Sequence, residues 1–226
     1  MRIPGMGAIR RRLNSRPLGD PDRFLRHVSG VIHVGANTGQ ERKRYEKRSL
    51  RVIWIEPVPE IFERLKTNLR CHPRQVAIQY LVTDQDNAEY AFHIANNGGE
   101  SSSILDFKLH KDIWPHVEWD RTIRIRSVTL PTLLRKENVN LSDYDALIMD
   151  TQGSELLVLK GAAPILREFR FIKTEVHDFE CYTGCCQLKE LDHFLRQYDF
   201  EEISRHTFAK RANGGSCYDL VYERKD

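Results

Sequence analysis

No apolar run in this chain approaches the roughly 18 residues that a membrane-spanning helix needs, so no span is expected. No CxxC pair occurs among the 5 cysteines, which removes the usual spacing of a structural zinc site. Cys181, Cys185 and Cys186 cluster while Cys71 and Cys217 stand apart. Reduced thiols in a cytoplasmic protein are the expectation. Residues 1–16 lack the apolar core, roughly 7–15 residues long, that marks a secretory signal. They carry Arg10, Arg11, Arg12 and Arg16 instead, which reads as a solvated leader. Internal repeats and low-complexity tracts are also missing. The net charge of +3 is too mild and too evenly spread to point to nucleic acid. What is present, 40% hydrophobic and 30% charged residues in 226, suits one soluble globular domain with a full core.

Apolar runs and turn residues alternate along the chain. Strands are expected over 31–34, 51–56, 75–82, 144–150 and 170–177, and helices over 40–48, 61–70, 154–160 and 188–198. Ile61, Phe62, Leu65 and Leu69 fall at helical spacing, as do Leu188, Leu191, Phe194, Leu195 and Tyr198. Gly161 is expected to stop the third helix, with Pro164 beyond it. This alternation predicts an α/β fold, a parallel sheet with helices on both faces. The ending differs. Strands at 200–204 and 217–223 are joined by Asn213-Gly-Gly215 without a helix, so they pair as an antiparallel hairpin. A basic leader or helical segment at 1–29 precedes a domain at 30–226. Within it, 86–128 reads as a cap-like insertion over the active face, with strands at 89–94 and 121–128.

In an open parallel sheet, ligands bind beyond the carboxyl ends of the strands, where the strand order reverses. The run 31–34 breaks into Gly35-Ala-Asn-Thr-Gly39. The next run ends on Glu56, about 20 residues after Gly35, as in a strand–turn–helix–strand unit whose terminal acid accepts hydrogen bonds from both ribose hydroxyls. That implies an adenosine-containing cofactor. Gly35 lets backbone approach the ligand, and Gly39 permits tight packing where the helix begins. The pattern is GxxxG and lacks the middle glycine of GxGxxG, which a pyrophosphate needs to reach bare backbone. S-adenosylmethionine has no phosphates and makes no such demand. Asp84 follows the third strand, where the adenine amino group would sit. The fourth large strand ends on Asp150, Thr151 and Gln152, and the fifth on Glu175 and His177.

His33-Val-Gly-Ala-Asn-Thr-Gly39, Glu56-Pro-Val-Pro59, Val82-Thr-Asp84, Ser101-Ser-Ser103, Met149-Asp-Thr-Gln-Gly-Ser-Glu155, Leu159-Lys-Gly-Ala162 and Thr174-Glu-Val-His177 together resemble the FkbM-type S-adenosylmethionine-dependent methyltransferases, over about residues 30–223. The resemblance implies the class I methyltransferase fold: a Rossmann-like, mostly parallel seven-stranded sheet with a terminal antiparallel hairpin. It also implies O-methylation, often of a sugar, glycan or glycosylated metabolite. The family commonly has Asp at the position of His33, and Asp-Val-Glu-Gly where this chain has Asp150-Thr-Gln-Gly153.

The cofactor-binding candidates are His33, Gly35, Ala36, Asn37, Gly39, Glu56, Pro57, Thr83, Asp84, Ser102, Asp150, Thr151 and Gln152. Ser101 and Ser103 are further candidates for the pocket wall. His177 is the first candidate base, since it ends a strand on the reactive rim and its unperturbed pKa is about 6.5. Asp150 is the rival base, or it holds the methionine amino group. Asp150, Glu175 and His177 could bind a divalent metal through oxygen and imidazole, but no local spacing enforces it and a metal is not favoured. Trp114, His116 and Trp119 are candidates to stack on a sugar face, and Cys181, Tyr182 and Gly184 to rim the acceptor site. The competing readings are a nucleotide-dependent oxidoreductase of related fold and a nonenzymatic binding module. A methyltransferase acting on nucleic-acid bases commonly carries Asn/Asp-Pro-Pro-Tyr/Phe at the fourth strand end, and Asp150-Thr-Gln-Gly153 lacks it.

Overall fold

The computed structural model describes residues 22–225; Arg10, Arg11, Arg12 and Arg16 lie outside them. The first strand, β1 (Gly30–Val34), pairs in parallel with β2 (Arg51–Ile55) on one side and with β7 (Ala146–Met149) on the other. Beyond β2 lies β3 (Gln75–Ile78); beyond β7 lies β8 (Phe171–His177), also parallel. Then β10 (Ser216–Arg224) runs antiparallel to β8 and forms a hairpin with β9 (Phe200–Lys210). The order β3-β2-β1-β7-β8-β10-β9 is the expected seven-stranded sheet with a reversed closing hairpin. Gly214 and Gly215, at φ 88° and 97°, make its turn. The hairpin is longer than expected, because residues 205–210 alternate without an apolar pattern and left no trace in the sequence.

Alternation along β1 divides the core. Ile32 and Val34 face the helices α3 (Leu130–Lys136), α4 (Glu155–Ala162) and α5 (Leu188–Arg196), with Leu133, Leu159 and Leu191 packed against them. Val31 faces the opposite layer, built by a 3-10 turn at Arg23–His27, α1 (Arg42–Glu46) and α2 (Pro59–Leu69) through Phe24, Leu25, Tyr45 and Leu65. Asp22 anchors the entering chain: it pairs with Arg44, and Lys173 Nζ lies 2.7 Å away. Burial of this magnitude on both faces is the main driving force for the layered arrangement.

The structure departs from the expected elements in several places. The strand expected over 75–82 breaks at Gln79-Tyr80. Leu81 and Val82 leave the main sheet as β4 (Leu81–Val82) and pair with β6 (Trp119–Val128), which also pairs with β5 (Glu89–Ala95). Leu81 is buried there among Val58, Ile61, Phe92 and Ile94, a core of its own. The helix expected over 40–48 shrinks to five residues, Arg42–Glu46. Helix α3 was not expected at all, although Thr129 before it, Pro131 at its start and Leu130, Leu133 and Leu134 on one face are its signature; seven residues are too few for the period to stand out.

Gly161 does not stop its helix. It lies inside α4, because a Cβ there would fall within the Thr83 carbonyl and 2.9 Å from the Asp84 Cα. Glycine to alanine in a helix interior ordinarily gains about 1 kcal/mol. Here the sign is expected to reverse, with Gly161→Ala losing about 1–3 kcal/mol of unfolding free energy through overpacking. Denaturant melts measure this, and a variant as stable as the parent would disprove the close contact.

Candidate functional site

The strand order reverses between β1 and β7, and a cleft of about 1260 Å³ opens there. Gly35 begins its floor. The Gly35 and Ala36 amides both donate to the Ile55 carbonyl at 3.0 Å, and at φ 79° a side chain would run into the Asp150 carbonyl. Glycine is therefore required at the switch point. Asn37, also left-handed at φ 45°, donates its amide to Glu56 Oε2 at 2.9 Å, while the Val58 amide donates to Oε1 at 2.9 Å. Each carboxylate oxygen keeps a lone pair for a further donor. Burial pushes the Glu56 carboxyl up to about 8, against these two hydrogen bonds and with Asp150 adding to the rise.

Beside Gly35, the Asp150 amide donates to the Val34 carbonyl, and its carboxylate accepts Gln152 Nε2–H at 2.5 Å. Burial pushes this carboxyl up to about 7. The turn that follows is held from below. Glu155 accepts the Thr151 amide and hydroxyl and the Gly153 amide, so the helix start binds its own buried acid. Next along the rim, His177 ends β8, buried, and desolvation brings its imidazole down to about 4.

Of the expected cofactor residues, His33, Gly35, Ala36, Asn37, Glu56, Pro57, Ser102, Asp150, Thr151 and Gln152 line the cleft together with His177. His33 does so from within the core. It stacks on Trp54 at 4.8 Å, lies 3.2 Å from the Tyr45 hydroxyl and is held neutral by burial, down to about 4. Gly39, Thr83 and Asp84 do not line the cleft. Gly39 faces Leu65, and Thr83 and Asp84 lie under Gly161. The break at Gln79-Tyr80 is the reason: it puts Tyr80, Leu81 and Val82 on the wall where Asp84 was expected. Trp114 lines the cleft, whereas Trp119 is stacked on Phe107 at 3.6 Å and neither it nor His116 reaches the wall. Cys181 and Tyr182 are fully buried behind the wall rather than on the rim, and Gly184 is exposed away from it. Among the described residues no three His, Cys, Asp or Glu side chains converge to hold a metal ion, and Asp150, Glu175 and His177 are not such a group.

His110 was missed. It is buried in the cleft wall, 3.2 Å from the Ser101 hydroxyl, and burial and then His177 bring it down to about 4. The path of the chain between β5 and β6, not any spacing, brings it there.

The donor set fits S-adenosylmethionine. A buried carboxyl, Glu56, and a half-buried one, Asp150, face one cleft, and among the described residues no Lys or Arg is paired with either. Each of these two carboxyls favours a diol or a positive charge beside it, while Lys43, Arg44, Lys47, Arg48 and Lys210 also line the cleft. It also sets a pH dependence. The folded state holds protons on Glu56 and Asp150 between about pH 4 and their folded values of about 8 and 7, so ionising them costs stability as pH rises there. His33, His110 and His177 oppose this only between about 4 and 6.5, where the unfolded chain binds their protons. Above pH 6.5 that opposition fades and the raised carboxyls, with Glu155 pushed up by burial in the same direction, set the slope. The ligand-free protein is therefore expected to melt at a lower temperature at pH 8 than at 6.5, with a shallower slope in Asp150→Asn. A melting temperature that rises over this window would contradict the assignment.

Residues 33–202 match the family model described as the methyltransferase FkbM domain. No curated protein sequence matches the chain. Among solved structures it is similar to the METTL16 methyltransferase domain, with a TM-score of 0.54 at 10% identity, covering 91% of this chain and 65% of that one. A Streptococcus pneumoniae putative tRNA (m1A22) methyltransferase gives 0.48 at 11%, covering 90% and 68%. Burkholderia thailandensis 1,6-didemethyltoxoflavin-N1-methyltransferase, with bound S-adenosylhomocysteine, gives 0.46 at 12%, covering 91% and 79%. The chain thus spans about two thirds of the length of the first two.

Proposed function

Because the chain belongs to the FkbM family of S-adenosylmethionine-dependent methyltransferases, we propose that it methylates a hydroxyl oxygen on a sugar, glycan or glycosylated metabolite. The observation that carries this reading is a neutral, buried imidazole, His177, on the same cleft as the ribose acid Glu56. A hydroxyl is a poor nucleophile until its proton leaves, and a positioned base supplies about 10²–10⁴ in rate.

S-adenosylmethionine, when bound, supplies an electrophilic methyl group. Glu56 holds the ribose hydroxyls, the bare backbone at Gly35 lets the donor seat closely, and Asp150 holds the methionine ammonium. Thr151, Gln152 and Ser102 close the wall around it. His177 lies two strands beyond β1, about 10 Å at the usual inter-strand spacing, which leaves room between for an acceptor hydroxyl. There it takes the proton. Its low basicity is no obstacle, because the hydroxyl proton becomes strongly acidic as the oxygen commits its lone pair. The insertion at 86–128 caps the acceptor side, bringing Ser101, His110 and Trp114 to it, and Trp114 suits a sugar face.

Incubation with methyl-labelled S-adenosylmethionine and a panel of free sugars, glycosides and glycosylated small molecules tests the reading. The expected product is an O-methyl ether, identified by mass spectrometry and NMR. Label found only on nitrogen, carbon or nucleic acid would overturn it.

A further inference from the structure

Gln152 sits in the cleft wall with left-handed backbone, φ 53°, and its side chain bridges two groups from different parts of the fold. Its Nε2 lies 2.5 Å from Asp150 Oδ1, and its Oε1 lies 2.6 Å from the Tyr182 hydroxyl. Ser103 Oγ–H donates to its backbone carbonyl at 2.8 Å, which pins the main chain. Tyr182 is wholly buried, packed on Phe107 and His110, and among the described residues its hydroxyl has one further hydrogen-bond acceptor, the Ser101 carbonyl at 3.3 Å.

These contacts define a logic of donors and acceptors. An amide has one acceptor end and one donor end. With the phenol donating to Oε1, the NH₂ end must face Asp150, where it stabilises a carboxylate. Turned over, the amide would present oxygen to carboxylate oxygen at the same 2.5 Å, which is tolerable only if Asp150 carries a proton. The turned amide would also leave the phenol with the longer Ser101 contact alone for its proton. The turned orientation of Gln152 therefore goes only with a protonated Asp150, and Tyr182 disfavours that orientation.

We propose that Tyr182 is a positioning residue that acts through Gln152: its hydroxyl locks the amide so that the nitrogen faces Asp150, and this presents Asp150 to the cleft as a carboxylate ready for a cationic group. The proposal rests on the role given above to Asp150 toward the methionine ammonium. The other charges that act on Asp150 push the opposite way. Glu155 of α4, Glu41 before α1, Asp219 of β10 and Glu56 of β2 are all acidic, and burial adds to them. The Gln152 amide is the contact that opposes this set.

The test is the pH dependence of adenosylhomocysteine binding, measured by calorimetry between pH 5.5 and 9. Tyr182→Phe keeps the ring packing and removes only the hydroxyl. It is expected to move the acid-side midpoint of binding upward by about 1 unit, the worth of one hydrogen bond. Gln152→Met should move it at least as far, and the double variant no further than Gln152→Met alone, since the tyrosine acts through the amide. In an Asp150→Asn background, Tyr182→Phe should leave the profile unmoved. An unchanged midpoint in Tyr182→Phe, or shifts that add in the double variant, overturns the proposal while leaving the cofactor site intact. A parent protein that binds no adenosylhomocysteine at any pH overturns the site and the proposal together. Melting curves of each variant identify loss of folding, and Gln152→Met, with its change on the wall itself, supplies the answer if Tyr182→Phe does not fold.

Discussion

Glu56→Ala is expected to weaken adenosylhomocysteine binding by about 10²-fold or more. Hydrogen bonds to a charged group are worth about 1.5–3 kcal/mol each, and the proposed site makes two with the ribose. The substitution also strands the Asn37 and Val58 amides that the carboxylate accepts. Glu56→Gln keeps the shape but sets an NH₂ against one of those two amide donors, so it should be nearly as damaging. Burial holds the carboxyl up at about 8 in the free protein, and two hydroxyl donors favour its ionised form. Binding should therefore release a proton and tighten as pH rises toward 8, then level off. Calorimetry in buffers of different ionisation enthalpy reads both effects. If Glu56→Ala binds as tightly as the parent protein, the ribose does not sit there.

Much of the frame was legible because it depends on short-range signals. The glycine turn at 35–39 and the acid at 56 are fixed by local backbone chemistry, and Gly35, Ala36, Asn37 and Glu56 lie on the cleft. The closing hairpin followed from two strands with no helix between them. What stayed hidden depends on long-range placement. Asp84 was given the adenine position because it follows a long apolar run, but that run serves two sheets, and its second half pairs with β6 some 45 residues later in the chain. Tyr182 looked like a rim residue by its place after β8, but Phe107 and Ser101, between β5 and β6, close over it. His110 has no neighbour in sequence that marks it; the fold of the segment between β5 and β6 brings it beside Ser101 and His177. Gly161 was read as punctuation because nothing in its own helix reveals the Thr83 backbone against it.

His177→Ala is expected to lower kcat by about 10²–10⁴ on a hydroxyl acceptor while changing adenosylhomocysteine affinity by less than about twofold. A loss confined to kcat marks a group that acts on the reacting oxygen rather than on ground-state binding. The pH profile separates His177 from Asp150, the rival base. His177, held down at about 4 by burial, stays neutral across the range from pH 5.5 to 9 and contributes no limb to it. Asp150, held up at about 7, should give an acid limb, with rate lost as pH falls through that value. His177→Ala should keep this limb at a much lower plateau, since proton removal is lost but ligand holding is not. Asp150→Asn should remove the part of this limb near 7 and weaken cofactor binding, leaving the dependence on Glu56 near 8. If His177→Ala retains the parent kcat, while Asp150→Asn loses turnover with cofactor affinity intact, the proton goes to Asp150 and the two roles are exchanged. The burial that makes His177 a weak base also keeps it unprotonated at any pH where Glu56 and Asp150 can ionise, so one desolvated cleft can hold a cationic donor at one end and accept a proton at the other.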